Sequence, residues 1–322
     1  MSAEAPLFSV VVPAFERERH VRLAAASCLA QRGPSFEVVV VDDGSADGTA
    51  AAAASLGDPR LRVLRHAANR GVCPARNTGT DAARGEWVIY LDSDEELLPG
   101  ALATIAARAA DAPDDVGVLC FMYRVESGGL SPEPPLPAAR MGFADFLRWA
   151  DGAAERSDML YCVRREIARA VRFPDSRAWE NKHTLDLARR CDRLTFPDVV
   201  ALAHVDAANR LTAMAPERFR ADAADRAREI EAALAAYDAD LRAFAPRLRA
   251  RQLRSAANAH FAAGERGLGL RRALQALAGC RQALRRRRVR EVRQPTDRGD
   301  RRLGSERLDN RSGAGGELRR AG

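Results

Sequence analysis

The sequence predicts an α/β fold built on a mostly parallel, doubly wound sheet, and three observations carry that expectation. Short β-branched runs alternate with alanine-rich segments of helical period through the first third of the chain. The runs are apolar throughout, as strands covered on both faces must be. Several of them stop abruptly at acidic or glycine-rich corners, where ligands sit in such sheets.

The elements follow in order. "FSVVV" opens as a strand, "RLAAASCLAQ" as a helix, "FEVVVV" as a strand and "GTAAAAASL" as a helix. "LRVLRH", "ARNTGTDAA" and "WVIYL" then repeat the strand, helix, strand alternation. "ALATIAARAA" is helical, "VGVLCFMYRV" a further strand, and "SGGLSPEPPLP" a surface loop broken by Gly and Pro. Residues 143 to 205 mix short helices and strands less regularly. From Pro216 onward helical patterning dominates: Ile230, Leu234, Tyr237, Leu241 and Phe244 recur at spacings of four and three and mark one core-facing stripe. The stretch around Phe261 breaks at Gly264 and resumes at Leu270, as a helical hairpin would.

Composition narrows the class. A chain of 322 residues with 47% hydrophobic content buries an ordinary core. The net charge of +7 is uneven: from Arg285 onward there are 13 Arg against 6 Asp or Glu, so the body is close to neutral and no nucleic-acid partner is expected. The Arg-rich tail is expected to be disordered, and either merely solubilising or a peripheral membrane contact. Six widely spaced cysteines without a C-x-x-C pair are expected as reduced thiols rather than a zinc or redox centre. The start "MSAEAPLFSVVVPAF" has no basic, apolar leader pattern and no run of about 18 apolar residues occurs, so a cytoplasmic protein is expected, peripheral at most to the inner face of the membrane.

Three strand ends carry the chemistry: "PAFERE", "DDGSADGT" and "DSDEE". Neighbouring strands lie about 4.8 Å apart, so these corners fall within roughly 10 to 15 Å of each other, the span of a nucleotide diphosphate sugar. A pocket walled by carboxylates repels a diphosphate unless a divalent cation bridges the two, and the D-x-D of Asp92 and Asp94 offers hard oxygen ligands for Mg²⁺ or Mn²⁺. Neither a Walker A loop nor G-x-G-x-x-G follows the first strand, which argues against a P-loop ATPase and a dinucleotide dehydrogenase. Asp47 is expected to cap the helix that follows it.

"SVVVPAFERE", "EVVVVDDGSADGT", "NRGVCPARNTG" and "GEWVIYLDSDEELLPGAL" resemble successive segments of the family 2 glycosyltransferases of GT-A fold, in that family's order and over about residues 7 to 103. The resemblance implies inverting transfer of a sugar from a nucleotide diphosphate donor. It implies that Pro13, Ala14 and Phe15 border the base, Glu16 the edge of the nucleotide pocket, and Asp43, with Asp42 beside it, the base or ribose. Arg76 would lie near the ribose or diphosphate. Asp92, Ser93 and Asp94 would meet the donor, with Asp94 the better metal contact.

The second half matches less closely. "VRFPDSRAWENKHTLDLARR" resembles the segment whose E-D pair supplies the family's base, but the pair reads Glu180, Asn181, which makes Glu180 the expected base. "ALAHVDAANRLT" resembles a later segment in which a His completes the metal shell, so His204 is either a ligand or a buried core histidine. The implied organisation is a GT-A domain over 1–212, a helical region over 213–284 and the tail over 285–322. Two alternatives stay open. One is a nucleotide-sugar-binding or scaffold protein of weak or absent turnover. The other is a nucleotidyltransferase, against which the missing Gly-rich phosphate loop argues.

Overall fold

The computed structural model describes residues 5–153, 158–177, 180–205 and 220–278. Its centre is a ten-stranded mixed sheet in the order β3-β2-β1-β4-β9-β6-β10-β5, with β7 paired to β6 and β8 to β10. Here β1 is Phe8–Ala14, β2 Phe36–Asp42, β3 Leu61–Arg65, β4 Trp87–Tyr90, β5 Glu95–Leu97 and β6 Val116–Val125. β7 is Leu130–Ser131, β8 Ala139–Met141, β9 Leu160–Arg164 and β10 Asp192–Ala203. Strands β3, β2, β1 and β4 run parallel, β9 lies antiparallel between β4 and β6, and β10 runs parallel to β6.

The continuously apolar runs become the parallel strands because both faces are covered. Alternation divides them: Val10, Val12, Val38 and Val40 pack on α1 (Glu18–Leu29), α2 (Thr49–Ala54) and α4 (Ala101–Ala110). Val11, Val39 and Val41 face the opposite layer, with Ala75 of α3 (Val72–Ala82), Ile167 of α6 (Arg165–Ala170) and Leu187 of α7 (Asn181–Arg190). A third apolar cluster joins α5 (Phe143–Gly152) and α7 to α8 (Ala223–Phe244) and α9 (Pro246–Ala262).

The expected stripe is the buried face of α8, where Ile230, Leu234, Tyr237 and Leu241 are all buried. Gly264, at φ +83°, ends the turn after α9, and a last helix, α10, resumes at 266 and runs to 278, four residues earlier than the Leu270 expected from the sequence. The acidic corner also differs from a plain loop. Glu95–Leu97 pairs antiparallel with β10, Glu96 opposite Leu202, because Leu97 belongs to the core and draws the chain into the sheet. The Gly/Pro loop likewise holds the two-residue strand β7. The five described cysteines are free thiols. No described helix is long and apolar enough to cross a membrane. The expected boundary at 212/213, the tail and Cys280 lie outside the described residues.

Candidate active site

A cleft of about 930 Å³ opens over the carboxyl ends of β1, β2 and β4, where the first and third of the sequence corners and Asp43 of the second meet. Pro13, Ala14 and Phe15 line one part of it, Asp43 and Arg76 another, and Asp92, Ser93 and Asp94 the wall beyond. Glu180 lines the facing side, at the start of α7.

Asp43 is buried and its carboxylate organises the loop before α3. It accepts the main-chain N–H groups of Arg70 at 3.0 Å and Gly71 at 2.6 Å, and meets His66 Nδ1 at 2.6 Å. His66 is fixed in turn by Thr78 at 2.9 Å. Gly71 must be glycine: its φ is +104°, and a Cβ there would collide with the Arg177 backbone, whose carbonyl accepts the Val72 N–H at 2.8 Å. One carboxylate therefore sets the wall of the cleft from the second corner to residue 177.

Arg76 bridges the two sides of the site. Its Nη2 donates to Asp92 Oδ1 at 2.6 Å and its Nη1 to Glu180 Oε2, so both carboxylates lie within the span of one guanidinium. The guanidinium stacks over Phe173, 5.3 Å from the ring centroid. Phe173 also stacks on His183 at 3.8 Å, and burial pushes the His183 imidazole down to about 4, so that ring is neutral at physiological pH. Glu180 keeps 41% of its side chain exposed to the cleft. Desolvation by the surrounding protein pushes its carboxyl above the usual range, and the Arg76 charge opposes that rise without cancelling it.

Asp94 faces Arg17, with Oδ2 3.3 Å from Nη1. The Arg17 side chain is only 9% exposed, and that Nη1 has no hydrogen-bond partner among the described residues. The residue is pinned through its main-chain N–H, which donates to Thr49 Oγ1 at 2.8 Å. Glu95 Oε2 accepts the Asp92 N–H at 3.1 Å. Burial first, and then the neighbouring charges of Asp92 and Asp94, hold Glu95 well above its ordinary pKa.

That crowding bears on the expected divalent ion. Among the described residues no three His, Cys, Asp or Glu side chains form a ready-made cage. The cleft instead offers Asp92 and Asp94 on one turn, two hard oxygen donors that would leave coordination positions for a diphosphate and water. Asp92 and Asp94 fit the role.

His204 does not. Its Nε2 lies 2.6 Å from Glu96 Oε1 and its Nδ1 3.3 Å from Glu126 Oε2, and it does not line the cleft. Burial disfavours a charged ring, but the two carboxylates outweigh it and raise the pKa, and both nitrogens are engaged by those carboxylates rather than turned to the cleft. Its main-chain N–H, donating to Asp94 O at 2.8 Å, is what reaches the D-x-D.

Two other expected residues lie outside the cleft lining. Asp42 is fully buried, outside the cleft lining, and serves the turn: Oδ1 accepts the Ser45 N–H at 3.1 Å and Oδ2 pairs with Arg65 at 3.2 Å. Glu16 is exposed, at φ +50°, and is likewise outside the lining; that backbone turn directs Arg17 inward in its place. Asp47 accepts the Thr49 N–H at 3.0 Å from one residue before the N-cap, a position that Gly48 takes without a side-chain cap bond. Arg17, Glu95, Phe173 and His183 are cleft residues that sequence reasoning passed over. Arg17 and Glu95 sat inside quoted corners, but nothing in their spacing says which side chains turn inward.

The fold is shared with known proteins. TarS 1-349 from S. aureus, in complex with UDP-GlcNAc, superimposes with TM-score 0.58 at 18% identity, over 86% of this chain and 92% of that one. The mannosyltransferase PcManGT from Pyrobaculum calidifontis, in complex with GDP-Man and Mn²⁺, superimposes with TM-score 0.52 at 23% identity, over 88% and 81%. By sequence, the succinoglycan biosynthesis protein ExoO of Rhizobium meliloti is 43% identical over 113 residues, 35% of this chain and 32% of that protein. The GalNAc(5)-diNAcBac-PP-undecaprenol beta-1,3-glucosyltransferase of Campylobacter jejuni is 35% identical over 131 residues, 40% and 42%. The chain thus matches about a third to two fifths of the length of these relatives. The family model for glycosyl transferase family 2 matches residues 9–172, from β1 through the end of α6 and across the strand ends that build the cleft, and the chain belongs to that family.

Proposed function

We propose that the protein is an inverting glycosyltransferase that moves a sugar from a nucleotide diphosphate sugar to an acceptor hydroxyl with divalent metal assistance. The observation that carries this reading is the Arg76 bridge, which sets a carboxylate of the D-x-D and the Glu180 carboxylate on opposite sides of one cleft. Pro13, Ala14 and Phe15 border the base, and the loop held by Asp43 closes against it. Glu180 takes the proton of the acceptor hydroxyl as its oxygen attacks the anomeric carbon, and the nucleotide diphosphate leaves from the other face. A bound Mg²⁺ or Mn²⁺, held by Asp94 and Asp92, would supply positive charge against that departing diphosphate.

A second reading, a nucleotide-sugar-binding protein without turnover, draws support from the ion pair of Glu180 with Arg76 and from Asn181 at the position of the family's Asp. The two are separated by a thermal-shift panel of UDP- and GDP-sugars with and without Mn²⁺, followed by transfer assays that include a polyprenyl-diphosphate-linked glycan. A donor that binds only the folded form raises the Tm by mass action. Asp94→Ala is expected to abolish the metal-dependent part of the shift along with transfer. Full transfer in excess chelator, or unaltered kinetics in Asp94→Ala, would exclude the metal role.

A further inference from the structure

Helix α10 is amphipathic in the inverted sense. Leu268, Leu270, Leu274 and Leu277 are exposed by 46, 57, 58 and 62%, the last three at spacings of four and three along one outward face. The inward side carries the small and polar residues. Ala276 joins the α8 and α9 core, Gly269 lies against the Phe261 ring, and Arg272 Nε donates to Glu231 Oε1 at 2.7 Å. A helix held by its polar side with leucines outward leaves apolar surface in water, which marks a contact surface. None of these leucines lines the cleft.

The sequence beyond the helix decides among partners. Residues 281–290 hold six Arg and no Asp or Glu, so a second copy docked here would bring two such segments together. The chain from 285 to 322 has only Val289, Val292, Leu303, Leu308 and Leu318 as large apolar residues, a poor cover for the stripe. We infer that the outer face of α10 is a membrane-surface contact, with its leucines seated in the interfacial region of an anionic phospholipid bilayer. Apolar insertion and basic attraction are the two ingredients of interfacial binding, and each is weak alone.

The test is co-sedimentation of the full chain with vesicles of phosphatidylcholine alone or with one third phosphatidylglycerol at low salt, for the wild type and for Leu270→Ser/Leu274→Ser/Leu277→Ser. Because these side chains are exposed, the variant should keep the wild-type circular dichroism and Tm. Leu274→Ser alone, the mildest change, serves if the triple variant is misfolded. The wild type is expected to sediment with the anionic vesicles and the triple variant to lose roughly tenfold or more in partitioning, with a smaller loss for Leu274→Ser. Equal sedimentation of wild type and variants would overturn the contact, as would binding to neutral vesicles at the same strength or no binding by the wild type. Lipid-free self-association that the substitutions abolish would also overturn it, in favour of a second copy.

Discussion

Glu180 and Arg76 show how one side chain can both place and restrain another. The guanidinium fixes the carboxylate in the cleft, while desolvation keeps its pKa above that of a free carboxyl despite the positive neighbour. A base must be unprotonated to work, so turnover should fall as pH falls through that raised pKa, with the acid limb above the position for an exposed Glu. Glu180→Gln is expected to cut turnover by about 10² or more, to leave donor affinity nearly unchanged and to remove that limb. Single-turnover rates against pH, with donor binding by calorimetry, check all three. A wild-type rate in Glu180→Gln would turn attention to Asp175 or Asp186 as the base. Glu180 could be singled out in "WENKHTLDL", but its pairing with Arg76 could not, because the two lie more than a hundred residues apart in the chain.

At the scale of elements, the segment from His66 to Val72 is held by hydrogen bonds to side chains and to a distant main chain rather than by its own helix or strand. Gly71→Ala would strain a positive φ and drive a methyl group into the backbone of Arg177, so a loss of about 2 kcal/mol or more is expected. Chemical denaturation measures it, and weakened nucleotide binding should accompany it because Gly71 lines the cleft. Strands β1, β2, β3 and β4 and helices α1 to α4 were readable from period and composition, since burial on both faces writes itself as continuous apolar runs. Strand β5 was not: in "DSDEELLPG" the acidic residues hide a three-residue pairing that exists only because β10 arrives from a hundred residues later.

Over the whole molecule, the helical region after residue 220 shares one apolar cluster with α5 and α7, so it is built onto the catalytic domain instead of beside it. Leu241, fully buried in α8, tests this. Leu241→Ala should cost about 2–5 kcal/mol and lower the Tm of a single cooperative transition. Calorimetry reads the outcome, and a second transition that alone shifts would show the helices to be an independent unit.

The sequence by itself determined the α/β class, the parallel strands, the D-x-D at a strand end, the family resemblance and the carboxylate expected as base. Each is local: a period, a spacing or a short motif records it within a few residues. The tertiary structure alone decided that Arg17 lies beside Asp94, that Arg76 joins Asp92 to Glu180, that His204 is spent between Glu96 and Glu126, and that Asp42 and Glu16 stay out of the cleft. Those contacts join residues from different strands, helices and loops, and the direction of a side chain at a strand end depends on backbone turns and neighbours that the one-dimensional pattern does not encode.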